Sequence, residues 1–150
     1  MAARSPGEPA TYPAPVPESA FETASWARRV LALVVDWIAC TLVVLVFVGP
    51  ANYYGADNQY AQLYVFAAYL VEASVLTSLA GGSFGQLATR LRVVSISGGP
   101  VPLLRSLVRH VLVLLVIPPL VYRPDGRGLH DIAAGTATVT LQTYRALAGR

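Results

Sequence analysis

The feature that most limits how this chain folds is the apolar run at residues 30–48, VLALVVDWIACTLVVLVFV, set directly behind Arg28-Arg29. As a helix it is long enough to cross the hydrocarbon core of a bilayer, which takes about 20 residues. Two helical turns inside its basic end sits a carboxylate, Asp36. A charge at that depth costs at least ~2.5 kcal/mol in lipid, so it implies a partner or an aqueous pocket. Arg29 and Asp36 are seven apart and fall roughly on one helical face. The run indicates a membrane protein with a polar interior face.

Composition agrees. The chain has 150 residues, enough for one domain; 55% are hydrophobic and 13% charged, with a mean hydropathy of +0.53. That is too apolar for an ordinary soluble domain. The formal charge is +3 and every basic residue is Arg. These arginines flank apolar segments and form no basic patch with exposed aromatics, which argues against nucleic acid as a partner. They read as determinants of membrane orientation and as contacts to the bilayer and its anionic lipids. The single cysteine, Cys40, excludes an intramolecular disulfide and a cysteine-based metal cluster, and reads as a small packing residue.

Residues 1–25, with Pro6, Pro9, Pro13, Pro15 and Pro17, contain no apolar stretch and read as a disordered cytoplasmic tail, not a signal peptide. The long, charge-bearing run behind Arg28-Arg29 fits a retained signal-anchor helix better than a twin-arginine export signal. An amphipathic interfacial helix is expected near 21–26, with Trp26 as a headgroup-level anchor. The first span covers about 30–48 and stops at Gly49-Pro50. The connection 51–60 carries one acid, Asp57, and no base, so the positive-inside rule makes it external and the N-terminus cytoplasmic. This is the topology of a multi-pass plasma-membrane protein. The second span, about 61–80, returns to the cytoplasm and carries Glu72 at nearly the depth of Asp36. Two acids at matched depth form either a helix-joining polar contact or a candidate ion or proton site, Asp36 with Glu72.

Beyond the second span, Gly81-Gly82-Ser83-Phe84-Gly85 predicts a tight turn with close backbone approach, and residues 86–90 a short helical turn. The β-branched stretch 91–96 reads as a strand and needs a partner. Residues 136–141 have the same character, and antiparallel pairing of the two on the cytoplasmic side is expected. Residues 102–121 form a third apolar helix, short and broken by Pro118-Pro119. A full crossing would place Arg123, Arg127, Arg145 and Arg150 outside and separate the strands. An interfacial or re-entrant helix avoids both, though a spanning helix stays open. Arg105 and Arg109 share one face of it and read as interfacial basic residues, with His110 beside them. His130 adjoins Asp131, within reach of a hydrogen bond. The fold class is thus an all-α membrane protein with two transmembrane helices, a third short helix and a small two-stranded β element. Its membrane domain covers 26–141, with a C-terminal tail at 142–150. No catalytic triad, zinc motif or nucleotide fingerprint is present, so neither an enzyme nor a cofactor or metal site is expected.

The pattern of Arg28-Arg29 with Asp36, then Gly85 through Leu91-Arg92-Val93-Val94, then Leu129-His130-Asp131 with Ala134-Gly135-Thr136, resembles the RDD family over about 26–140. The resemblance assigns the family's arginine to Arg29 or Arg28 and its two aspartates to Asp36 and Asp131. Gln86 stands where a basic residue is common in such proteins, and Thr89-Arg90 replaces a more apolar, glycine-containing step. Two functions remain. One is an accessory or scaffold subunit, working with other membrane protein subunits or by self-association, in which the Arg-Asp-Asp set is structural and Asp131 meets the Arg28/Arg29 end of the first helix. The other, linked to some relatives, is an oligomeric cation/proton exchanger in which Asp36 and Glu72 bind the ion and Arg29 and Asp131 form a gate.

Overall fold

The computed structural model of the chain describes residues 24–55, 58–115 and 128–148. The proline-containing stretch 1–23 and residues 116–127, with Pro118-Pro119, lie outside the described residues, as do the expectations made for them.

Two long helices form the frame, α1 (Trp26–Val48) and α3 (Ala61–Ala80), joined through the short α2 (Pro50–Tyr53). Nothing between 26 and 48 breaks a helix, so Trp26 opens α1 itself and no separate interfacial helix ends there. The buried residues of α1 are Ala32, Asp36, Cys40 and Val44, and α3 buries Ala61, Val65, Tyr69, Ala73 and Thr77. Apart from Ser74 of α3, which is also buried, each set recurs every fourth residue, which gives the two helices matching ridges. Small residues in both stripes let the helices approach closely. Cys40, Val44, Val65, Tyr69 and Ala73 form the core between them, with Trp37 edge-on to Phe66 at 5.3 Å.

Most of the remaining helix surface is apolar and open. Val46 and Phe47 are 80% and 85% exposed, and Leu79 is 77%. The apolar windows of α1 and α3 are long and apolar enough to span a membrane, yet only 22% and 28% buried within the molecule. A core helix of a soluble protein would be covered, so these open surfaces suggest an apolar surrounding.

At the α1 N-terminal end, α3 stops at Gly81, whose left-handed backbone (φ 73°) caps the helix while its N–H donates to the Thr77 carbonyl. The short α4 (Phe84–Ala88) follows, then β1 (Leu91–Ser95). The Gly81 carbonyl accepts the Val93 N–H at 2.7 Å, which stitches the sheet to α3. β1 pairs antiparallel with β2 (Thr136–Thr140), Leu91 opposite Thr140 and Ser95 opposite Thr136, as the two β-branched stretches predict. One sheet face carries Val94, Ala137 and Val139. It is covered by α7 (Leu141–Ala148), through Tyr144. The segment expected to be a tail is therefore a helix over most of its length, because those three apolar side chains need cover. At the other boundary, Ala24 is buried and its N–H donates to the Thr138 carbonyl, so this residue belongs to the domain and not to the tail.

The third apolar segment begins as α5 (Leu103–Leu114), and α6 (Leu129–Ala133) is the next helix among the described residues. α5 packs lengthwise on α3. Val101, just before it, adjoins Thr77 and Gly81; His110 stacks edge-on to Tyr69; Val113 and Leu114 reach the core around Val65. It is not a helix lying flat across the ends of the other two. The chain leaves the sheet before Leu103 and is back beside it at Asp131, so both flanks of this segment stand at the same end of the molecule.

Candidate functional site

Two polar clusters sit at the sheet end of the helices. The first is built on Asp131, which α6 presents beside β2. Thr136 and Thr138 alternate with apolar Ala137 and Val139, so both hydroxyls face Asp131. The Asp131 carboxylate is fully buried and accepts from four side chains. Arg109 Nη1 donates to Oδ1, Arg29 Nη1 to Oδ2 at 3.3 Å, Thr136 Oγ1 to Oδ1 at 3.1 Å and Thr138 Oγ1 to Oδ2 at 3.2 Å. The same hydroxyls accept from Arg109, Nη1 to Thr136 at 3.2 Å and Nη2 to Thr138 at 3.0 Å. Arg29 also donates Nε to the Ala24 carbonyl and Nη2 to that of Thr138. Burial alone would raise the Asp131 pKa, but the charges of Arg109, His130 and Arg29 outweigh it and hold the carboxyl below its ordinary range. His130 Nε2 lies 3.7 Å from Oδ2.

The structure thus selects Arg29 over Arg28, which is exposed. Arg109 is not interfacial. It is 1% exposed and supplies the second cation on Asp131. His110 is also buried, with Nδ1 2.8 Å from the Ser106 carbonyl, so that nitrogen carries the proton and donates. The reason is the direction of α5: it enters the bundle, and the face carrying Ser106, Arg109 and His110 turns inward. Of the polar residues of α5, Arg105 alone stays exposed. The signal for Arg109 was the pairing of an arginine in an apolar run with the alternating threonines of TATVT, a strand whose inner face needs a charged donor to satisfy it.

The second cluster gathers the two intrahelical acids around the start of α4. Asp36 Oδ1 accepts the Gly85 N–H and Oδ2 accepts the Ser83 hydroxyl at 2.6 Å. Glu72 Oε1 accepts the neighbouring Phe84 N–H at 2.7 Å. Carboxylates from two helices therefore hold consecutive N–H groups that the helix itself leaves unpaired. Gln86 completes a capping box, its Oε1 accepting the Ser83 N–H at 3.0 Å, which gives this departure from the usual basic residue a local role. Gly85 is required. A Cβ there would lie 2.0 Å from the Ala32 carbonyl oxygen and 2.9 Å from Asp36 Cγ. Asp36 does not pair with Arg29 despite the seven-residue spacing; its partners come from the 83–85 turn. Glu72 Oε2 is buried with no hydrogen-bond partner among the described residues.

The sequence pattern described as the RDD family matches residues 23–135 of this chain. No curated protein and no solved structure matches it. The matched region holds the two long apolar helices, the Asp36 cluster, and Arg29, Arg109 and Asp131 of the other cluster; it ends at Gly135, just before the β2 threonines.

Proposed function

Since the chain belongs to the RDD family, we propose that it is a small plasma-membrane protein, N-terminus cytoplasmic, serving as an accessory or scaffold subunit of a larger membrane assembly. One observation carries this reading. Every oxygen of Asp36 and Asp131 is engaged by donors from the chain itself, so the two aspartates act as fasteners. Asp131 ties α1, α5, α6 and β2 together, and Asp36 ties α1 to the turn after α3. Carboxylates engaged in this way fix a shape, and Asp131, with two donors on each oxygen, offers no coordination site for an ion. Two long helices with a third, shorter one do not enclose an aqueous path. Their open apolar faces suit lipid and neighbouring helices.

The test is the composition of the particle extracted gently from its own membrane. A fixed-ratio complex with a second, larger membrane protein is the expected result. A homo-oligomer whose reconstituted vesicles exchange cation for protons would overturn it.

One observation favours the exchanger reading instead: the free, buried Oε2 of Glu72 beside the Asp36 carboxylate. On that reading Glu72→Gln abolishes flux while leaving the Asp36 contacts in place. On the accessory reading no flux is there to lose.

A further inference from the structure

An open groove of about 680 Å³ runs between the start of α1, the end of α4 and the start of α7. Three arginines line it, Arg28, Arg90 and Arg145, one from each of these segments, together with apolar Leu31 and Leu141. Among the described residues no carboxylate lines it. Among the described residues the ion pairs all involve Asp131, and none reaches these three side chains. Like charges drawn from three separate parts of the chain give the groove a positive potential that attracts an anion. Arg90 adds a second sign of construction. Its φ is +58°, the one left-handed non-glycine backbone among the described residues. Such strain is uncommon for a long side chain and collects at binding sites. The strained turn is fastened by the Leu141 N–H, which donates to the Arg90 carbonyl at 2.8 Å and brings the α7 side of the groove to the α4 side.

We infer that this groove seats the phosphate headgroup of an anionic membrane lipid. The inference rests on the membrane reading proposed above and adds a specific ligand site to it. Guanidinium groups suit phosphate because their planar forks bind its oxygens in pairs. The apolar side of the groove decides between a lipid and a free phosphate. Leu31 belongs to the groove and, with Val34, Ile38 and Leu42, is part of the exposed apolar surface of α1. An acyl chain attached to a phosphate held by the arginines has that surface to lie on; a free phosphate makes no use of it. The level also fits, since the groove lies at the basic end of the first apolar run, where headgroups meet the helix.

The experiment uses the full chain in mixed micelles holding equimolar phosphatidylglycerol and phosphatidylcholine, with bound lipid read by native mass spectrometry. Wild type is expected to retain phosphatidylglycerol selectively. Retention falls about fivefold for each of Arg28→Gln, Arg90→Gln and Arg145→Gln, and on the order of a hundredfold for all three together. Arg105→Gln removes the same charge from an exposed position outside the groove and is expected to leave retention intact. Arg90→Gly guards against misfolding: glycine suits the left-handed backbone, so this variant keeps the thermal stability of wild type and still loses lipid. Equal retention of the two lipids, or an equal loss in Arg105→Gln, overturns the groove as the site. Full displacement of the lipid by millimolar inorganic phosphate overturns the choice of a lipid over a free anion. A chain that inserts into neither lipid removes the membrane reading along with the groove, whereas insertion without selectivity removes the groove alone.

Discussion

The residue that concentrates most of the polar energy is Asp131. A buried carboxylate is tolerated only when its charge and its lone pairs are met, and here two guanidiniums and two hydroxyls meet them. Asp131→Asn leaves Arg109 buried beside a neutral amide, and should destabilise the fold by ~3–5 kcal/mol, read as thermal unfolding in detergent. The same residue sets an acid limit. Its folded pKa lies below the ordinary 3.8, so its contribution is fully present above about pH 4 and is lost as pH falls through the depressed folded value. Wild type should lose stability in that acid window, and Asp131→Asn should show a flatter profile there; a wild-type curve no steeper than the variant's would refute the assignment. Gly85→Ala is the second residue-level prediction. With a backbone oxygen 2.0 Å from the new Cβ, the loss should reach or exceed the ~1–3 kcal/mol typical of overpacking, and the yield of folded protein should fall with it.

At the scale of elements, the short α4 is the piece least able to stand alone, since five residues cannot nucleate a stable helix. It is held by its capping box and by the two acids. Ser83→Ala removes the cap and one Asp36 partner at once, and should cost ~1–3 kcal/mol, read as a lower unfolding temperature. Ser83→Thr keeps the hydroxyl and should restore most of it. Much of this was legible in the chain. The bounds of α3, the close approach at the glycine turn and the common depth of Asp36 and Glu72 follow from periodicity and spacing, and the strand pairing from two β-branched stretches that each need a partner. What spacing could not supply was direction. Arg29 and Asp36 share a face, yet each finds a partner from a distant segment. Arg109 reads as interfacial until α5 is seen to run along α3. The helix over 141–148 was hidden because its local signal is weak, and the need for it comes from the sheet face it covers.

For the whole molecule, the placement of α5 and α6 makes a statement about topology. The N-terminal end of α1, the C-terminal end of α3, the sheet and α7 gather at one end, and the 49–55 turn stands at the other. Since Asp131 meets Arg109 and Arg29 at the sheet end, α6 stands at the same end of the molecule as the start of α5. A re-entrant segment there would keep the arginines near the C-terminus inside, as the positive-inside rule asks. Single cysteines test it in a Cys40→Ala background, where no native thiol remains. Ser97→Cys beside the sheet and Ala146→Cys on α7 should be shielded from a membrane-impermeant maleimide in intact cells and labelled once the cells are opened. Gln59→Cys, in the connection between α2 and α3, should label from outside without opening. If Ser97→Cys and Ala146→Cys report opposite sides, the third segment crosses fully. The strands could then pair only across the membrane, and the Asp131 cluster could not form as described. If both report the inside and Gln59→Cys the outside, Asp131 locks the re-entrant segment to the cytoplasmic end of α1, and the groove of Arg28, Arg90 and Arg145 faces the inner leaflet, where anionic lipid is found.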